Sequence, residues 1–141
     1  MDADELASRV AQAMLAEEGT GPSWGIVIEE ARSGYARLRM TLREDMLNGH
    51  RTAHGGMVFS LADTAFAYIC NARNERTVAA QASIVFLDAA KEGETLIAEG
   101  QELSCVGRSG VTRVTVRSED GRPIAEFTGY SRTIGGAIIE V

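Results

Sequence analysis

Between Gly55 and Asn71 the chain reads GGMVFSLADTAFAYICN, a stretch with no proline and few β-branched residues. Wound at 3.6 residues per turn, Met57, Val58, Phe59, Leu61, Ala62, Ala65, Phe66, Tyr68 and Ile69 put apolar groups on every side of a helix. Such a helix is expected to be buried all round, so the rest of the chain has to supply its wall. Asn71, Arg73 and Arg76 suit the negative C-terminal end of this helix.

The wall reads as strands. Trp24–Glu30 is apolar and β-branched. Tyr35–Leu42 alternates, with Arg37, Arg39 and Thr41 on one face and Ala36, Leu38, Met40 and Leu42 on the other. Four more runs follow the helix: Val78–Leu87, Thr95–Ser104, Val111–Ser118 and Pro123–Ile134. Turns are expected at Arg32-Ser33-Gly34, Glu92-Gly93, Gly107-Arg108-Ser109-Gly110 and Asp120-Gly121. At the N-terminus Leu6, Val10, Ala13 and Met14 mark a short amphipathic helix over Ala3–Glu17. It starts at Asp2 or Asp4, stops at Gly19 and is followed by a turn at Thr20–Ser23. The expected architecture is α+β: an antiparallel sheet of about six strands wrapped around one long central helix. With 141 residues the chain is read as one domain, residues 1–20 being its N-terminal helix and turn.

The formal charge of -6 is concentrated at one end. Residues 1–30 hold seven acids against Arg9, whereas residues 31–141 hold 13 bases and 13 acids. A neutral body excludes the broad basic face that duplex nucleic acid requires, though not a local anion pocket. Cys70 and Cys105 form no CxxC pair, which argues for a reducing compartment. Met1-Asp2-Ala3-Asp4-Glu5 lacks the basic start and apolar run of a signal peptide. The longest apolar tract is interrupted by Ser60, Asp63 and Thr64, so no membrane span is expected. The expected setting is cytoplasmic.

Asp63 breaks the pattern. A carboxylate inside a buried helix costs several kcal/mol unless it is paired, so it is kept either for a structural hydrogen bond or for chemistry. At the helix start, Thr52-Ala53-His54-Gly55-Gly56 leaves bare backbone N–H donors approachable at the positive end of the helix dipole, where an oxyanion can be stabilised. Eight residues separate Gly55 from Asp63, roughly 12 Å along one helix axis, too far for both to act on one carbonyl. Two such helices packed antiparallel about a two-fold axis near Phe59 bring Gly55 of one against Asp63 of the other, twice over. An obligate dimer with composite sites follows as an expectation.

The segments Asn48-Gly49-His50-Arg51-Thr52-Ala53-His54-Gly55-Gly56 and Phe59-Ser60-Leu61-Ala62-Asp63-Thr64-Ala65-Phe66-Ala67 strongly resemble the hotdog-fold acyl-CoA thioesterases, and within them the PaaI type of phenylacetate degradation. A weaker likeness runs through Ser83–Leu87, Gly107–Val116 and Ser131–Gly136. The resemblance implies a hotdog fold and hydrolysis of a (hydroxy)phenylacetyl-CoA, or a similar aromatic or short-to-medium acyl-CoA. It implies that the Gly55 N–H, with Gly56 beside it, polarises the thioester carbonyl. Asp63 of the partner chain is then general base on water, or nucleophile through a mixed anhydride. Asn48 helps position the carbonyl or water, Thr64 lies beside the acid, and Ser83, or Gln81, reaches the site from the following strand. His54 orders the loop before the helix and borders the substrate. Relatives often carry Arg-Pro where this chain has Asp88-Ala89, so Arg108, Ser109 and Gly110 become the candidates for the CoA phosphates. No cofactor is implied beyond the CoA of the substrate, and the assembly implied is a dimer, or a dimer of dimers.

Other chemistries fit less well. His50 and His54 are four apart, but a metal site would need carboxylates such as Asp45 to complete it, and Gly55-Gly56 interrupts the helix that such ligation requires. No Gly-x-Ser-x-Gly elbow is present for a Ser-His-Asp hydrolase. A hotdog dehydratase would use a His and an acid on the acyl chain, whereas the acid here stands in the thioesterase position. A non-catalytic acyl-CoA-binding module is the alternative from another class, and the presence of Asn48, Gly55 and Asp63 together argues against it.

Overall fold

The computed structural model describes residues 1–141. Helix α1 (Ala3–Glu17) starts at Asp2, whose carboxylate accepts the Glu5 N–H at 2.8 Å while the Glu5 side chain reaches back to the Asp2 N–H. That reciprocal pair satisfies two otherwise orphaned donors. The expected turn at Thr20–Ser23 is one turn of helix, α2. The Trp24 N–H closes it on the Thr20 carbonyl, and Gly25 follows with φ +67°. Strand β1 therefore spans Val27–Arg32 rather than starting at Trp24. A two-residue turn, with Gly34 at φ +75°, leads into β2 (Tyr35–Thr41). After a 3-10 turn at Glu44–Met46 come the central helix α3 (Gly55–Cys70) and strands β3 (Thr77–Phe86), β4 (Thr95–Val106), β5 (Ser109–Ser118) and β6 (Pro123–Thr133). The Gly107–Gly110 turn is tighter than expected, because Val106 already pairs with Ser109.

All six strands form one antiparallel sheet in the order β1-β2-β4-β5-β6-β3. Helix α3 lies across one face, where Leu61, Ala62, Ala65, Phe66 and Ile69 meet Leu38, Met40, Leu96, Ala98, Val114 and Phe127 in a single core. Glycines let the helix press onto the sheet. A Cβ on Gly129 would stand 2.7 Å from the Phe66 ring, and one on Gly100 2.9 Å from Ile69 Cδ1. Gly129→Ala is expected to cost about 1–3 kcal/mol by overpacking, read as a lower urea midpoint with unchanged slope.

Two features depart from a helix sealed on all sides. Ser60, Asp63, Thr64 and Ala67 are only half-buried and Gly56 is exposed, so α3 keeps one open side. Strand β3 is an edge, hydrogen-bonded only to β6, with Val78, Val85 and Phe86 exposed by 46, 60 and 53%. Asn71 ties the two together: its amide donates to the Ala67 and Thr77 carbonyls and its oxygen accepts the Thr77 N–H. No helix is long and apolar enough to cross a membrane, and Cys70 and Cys105 are both unpaired thiols.

Candidate active site

The loop before α3 is pinned at several points. The His54 N–H bonds the Met46 carbonyl at 2.9 Å, the Ala53 N–H bonds the Ala90 carbonyl at 2.8 Å, and Leu47 bridges Ala53. His54 stands at the helix cap with φ -62° and ψ 132°. Its Nδ1 accepts the Gly56 N–H at 2.9 Å, and its carbonyl accepts the Met57 and Val58 N–H groups at 2.9 and 3.3 Å. Three of the first four donors of α3 are thus satisfied, and the Gly55 N–H is left as the free one. The helix dipole adds positive potential at that point.

The Gly55 N–H borders a cavity of about 350 Å³ whose lining includes Asn48, Ala53, Val58, Phe86 and Asp88. Phe86 comes so close that a Cβ on Gly55 would stand 3.2 Å from its ring, which is why glycine suits this position. The Asn48 side-chain oxygen accepts the His50 and Thr52 N–H groups at 2.9 and 3.2 Å, and the Thr52 hydroxyl at 3.3 Å. That leaves its amide nitrogen as a second uncommitted donor beside the cavity. Because His54 holds the cap, His54→Ala is expected to cost about 0.5–2 kcal/mol of stability, measurable by denaturant titration.

Asp63 lies on the open side of α3, half-buried, with neither a hydrogen bond nor an ion pair to its carboxylate. Burial pushes its pKa above the ordinary carboxylate value. The helix is continuous between Gly55 and Asp63, so the roughly 12 Å axial separation holds. Thr64 is its neighbour, but the Thr64 hydroxyl donates back to the Ser60 carbonyl at 2.7 Å, as Ser60 does to Gly56. Both keep lone pairs to offer rather than protons.

The remaining candidates do not line this cavity. Ser83 pairs with Thr128 and Gln81 with Tyr130, on the face of the sheet turned away from α3, whereas Ala82 and Ile84 face the helix. The cause is a bulge between Ala79 and Gln81: one extra residue reverses every side chain beyond it. Arg108 is exposed at the β4–β5 turn, its carbonyl accepting the Thr133 N–H. Gly110 is required by packing, since a Cβ there would meet Ser131 Oγ at 2.6 Å, and the Ser109 hydroxyl accepts from Arg132 at 3.4 Å. Thr133 pairs with Thr77 at one end of β3 and Ala125 with Phe86 at the other. Arg108 is therefore about 30 Å along the strand from Gly55 of its own chain, at roughly 3.3 Å per residue.

Asp88, in the cavity wall, is held by Arg122 Nε at 2.8 Å. Asp45 pairs with Arg43, and no group of three or more His, Cys, Asp and Glu side chains is placed to hold a metal ion. Phe86 was not among the expected site residues. Its contact with Gly55 is purely tertiary, and nothing in the local sequence signals it.

Three comparisons bear on this geometry. The thioesterase superfamily matches residues 50–125, which include the α3 cap, Asp63 and the edge strand. The acyl-coenzyme A thioesterase PaaI of Escherichia coli (strain K12) is 39% identical over 128 residues, covering 91% of this chain and 91% of that protein. The structure of the E. coli PaaI protein from the phenylacetic acid degradation operon superposes with a TM-score of 0.94 at 37% identity, over 96% of this chain and 99% of that one. A thioesterase protein from Streptococcus pneumoniae with coenzyme A superposes with a TM-score of 0.77 at 25% identity, covering 79% of this chain and 90% of that one.

Proposed function

This chain belongs to the thioesterase superfamily and is an acyl-CoA thioesterase of the PaaI kind, and from that premise we infer that it works as a homodimer with two composite sites. The observation that carries the dimer is the pairing of a free Gly55 N–H with an unpartnered Asp63 that the same helix holds roughly 12 Å away. Antiparallel packing of two α3 helices along their open sides closes that gap. The exposed edge of β3 supports it, because pairing with a second β3 in antiparallel register satisfies the unpaired ladder and covers Phe86 and Val78. The same pairing sets the Thr77 end of one strand beside the Phe86 end of the other. Arg108 of one chain then lies at the end where the partner's Gly55 sits, in reach of the CoA phosphates together with Ser109 and Gly110.

In such a site the thioester carbonyl accepts the Gly55 N–H, with the Asn48 amide as second donor. Acting as base, Asp63 of the other chain takes a proton from water as the water oxygen adds to the carbonyl carbon. The electron pair moves to the carbonyl oxygen and is held at the helix end. When the pair returns, the carbon–sulfur bond breaks and the proton passes to the thiolate, giving free acid and CoA. Direct attack by Asp63 would instead form a mixed anhydride that water then opens. Thr64 offers an acceptor for the attacking water, and no cofactor beyond the CoA of the substrate is needed.

(Hydroxy)phenylacetyl-CoA is the proposed substrate class, supported by the likeness to the E. coli protein from the phenylacetic acid degradation operon. Two dimers are proposed to associate through the outer face near β3, where Val85 and Tyr130 are exposed among the uncharged Gln81, Ser83 and Thr128. The two unpaired thiols fit a cytoplasmic, reducing setting. The test is thiol release from a panel of aromatic and aliphatic acyl-CoAs with a chelator present throughout. Turnover of arylacetyl-CoA is expected, and tight binding without any release would overturn the reading in favour of a binding module.

A further inference from the structure

Asp88, Ala89 and Ala90 form one wall of the cavity beside the Gly55 N–H. They belong to the connection between β3 and β4, which is pinned at both ends. The Leu87 and Asp88 N–H groups bond the Ile124 carbonyl at 2.8 and 3.3 Å, and the Gly93 N–H bonds the Leu42 carbonyl at 2.9 Å. Between these pins, residues 89–92 make a single backbone–backbone bond to a distant part of the chain, from the Ala53 N–H to the Ala90 carbonyl at 2.8 Å. Ala53 stands two residues before Gly55, so the aim of the free Gly55 N–H depends on where the Ala90 carbonyl is held.

Arg122 ties both ends of this loop together. Its own backbone is set by the β5–β6 turn: its N–H bonds Ser118 Oγ and Asp120 Oδ1, each at 3.1 Å, and its carbonyl accepts the Ser118 N–H at 2.9 Å. At the leading end of the loop, Arg122 Nε meets Asp88 Oδ2 at 2.8 Å and Nη2 donates to the Ala89 carbonyl at 3.0 Å. At the trailing end the same Nη2 reaches Glu94 Oε1 and Oε2 at 3.1 and 3.2 Å, and Glu94 Oε2 accepts the Lys91 N–H at 2.6 Å. Nη1 turns to Asp120 at 3.6 Å. Ala90, between the two attachments, is buried. Glu92 pairs with Arg51 at 3.8 Å, but both side chains are exposed and such a pair contributes little. Only a planar guanidinium presents several donors at fixed angles to acceptors spread in this way; an ammonium is a point charge.

We propose that Arg122 is a positioning residue for thioester hydrolysis. It straps the β3–β4 loop so that the Ala90 carbonyl holds Ala53, and through Ala53 and His54 it keeps the Gly55 N–H aimed at the thioester carbonyl. Arg122 itself touches neither the substrate nor the reacting atoms. This deepens the acyl-CoA thioesterase reading and rests on it, with Gly55 as the oxyanion donor. Its effect is large because a displacement of about 1 Å in a reacting geometry can cost about 10²-fold in rate.

The experiment uses the full chain with two readouts: steady-state thiol release from phenylacetyl-CoA, and amide hydrogen exchange resolved to single residues. In Arg122→Ala, kcat is expected to fall about tenfold or more with KM within about twofold of the parent, since the donor acts on charge that develops in the transition state. The Ala53 amide is expected to exchange about tenfold faster or more, while the Val114 amide in the sheet core keeps its protection. Arg122→Lys retains the positive charge beside Asp88 without the fork, and is expected to follow Arg122→Ala in both readouts. A raised KM with kcat kept would make Arg122 a substrate contact and overturn the proposal. Parental behaviour of Arg122→Lys would make charge alone the cause, and equal acceleration at Ala53 and Val114 would mark a general loss of stability; either overturns it, as does an Ala53 amide as protected as in the parent. Faster exchange confined to Ala53 and its neighbours, in a protein that releases no thiol from any acyl-CoA, would leave the strap standing and remove the hydrolase reading.

Discussion

Replacement of Asp63 by Asn is expected to lower kcat for thioester hydrolysis by about 10²–10⁴-fold, the range for loss of a positioned base, while the chain stays folded. Asn fills the same space, but its amide cannot take a proton from water or form an anhydride. The parent enzyme should show a matching pH dependence. Burial raises the Asp63 pKa, so the ionised, active form appears only as pH climbs past the ordinary carboxylate range, and kcat rises with it. The residual rate of Asp63→Asn should lack that rise.

Stability moves the opposite way. With its folded-state pKa raised, Asp63 penalises the folded state once ionised, so the stability present below the unfolded value, about 4, is lost as pH rises through the folded value. Asp63→Asn is therefore expected to melt higher than the parent at pH 7 and to lose that advantage below about pH 4. Melting curves at the two pH values check this. Equal melting temperatures at pH 7, with activity retained, would show that Asp63 is neither strained nor chemical.

Gly55→Pro removes one hydrogen-bond donor and adds ring carbons next to Phe86. Gly55 is the first residue of α3, where proline is well tolerated, and the preceding His54 already has the extended backbone that proline demands, at ψ 132°. The N–H it deletes bonds nothing within the chain, and the Phe86 ring, at an exposed strand end, has only tenths of an ångström to yield. Stability should change little, whereas kcat falls by about 10²–10³-fold if that N–H holds the oxyanion.

Mixing then tests the composite site. Asp63→Asn and Gly55→Pro proteins, each nearly inactive, are unfolded together at equal concentration and refolded. Random pairing makes half of the dimers mixed, and each mixed dimer holds one site with both groups intact, so roughly a quarter of parental activity should return. Recovery of nothing, with mixed dimers verified by mass spectrometry, would overturn the composite site, since a site needing Gly55 and Asp63 from the same chain gains nothing by mixing.

How far the sequence reaches differs by residue. Helix α1 has the expected bounds, because its capping box and apolar spacing are both local. The start of β1 was displaced from Trp24 to Val27 by a helical turn and a positive-φ glycine, neither of which alters the apolar pattern. Gly55 and Asp63 stand out in the sequence because a paired glycine and a carboxylate break the rules of an apolar helix, whereas Asn48 enters only through the family resemblance of the segment before it. Ser83 entered through the resemblance alone, and its place on the sheet face turned away from α3 follows from a bulge that carries no marker among Ala79, Ala80 and Gln81.

The sequence alone therefore determines the element types and the helix-and-sheet layering, and it singles out the two groups proposed for the chemistry, since these follow from spacing along the chain. Only the tertiary structure decides which donor is free, because His54 claims the Gly56 N–H through a side chain folded back on its own helix. It also decides which strand is the edge and which side of α3 stays open. Those outcomes depend on contacts between residues distant in the chain, such as Phe86 on Gly55 and Phe66 on Gly129, for which periodicity carries no signal.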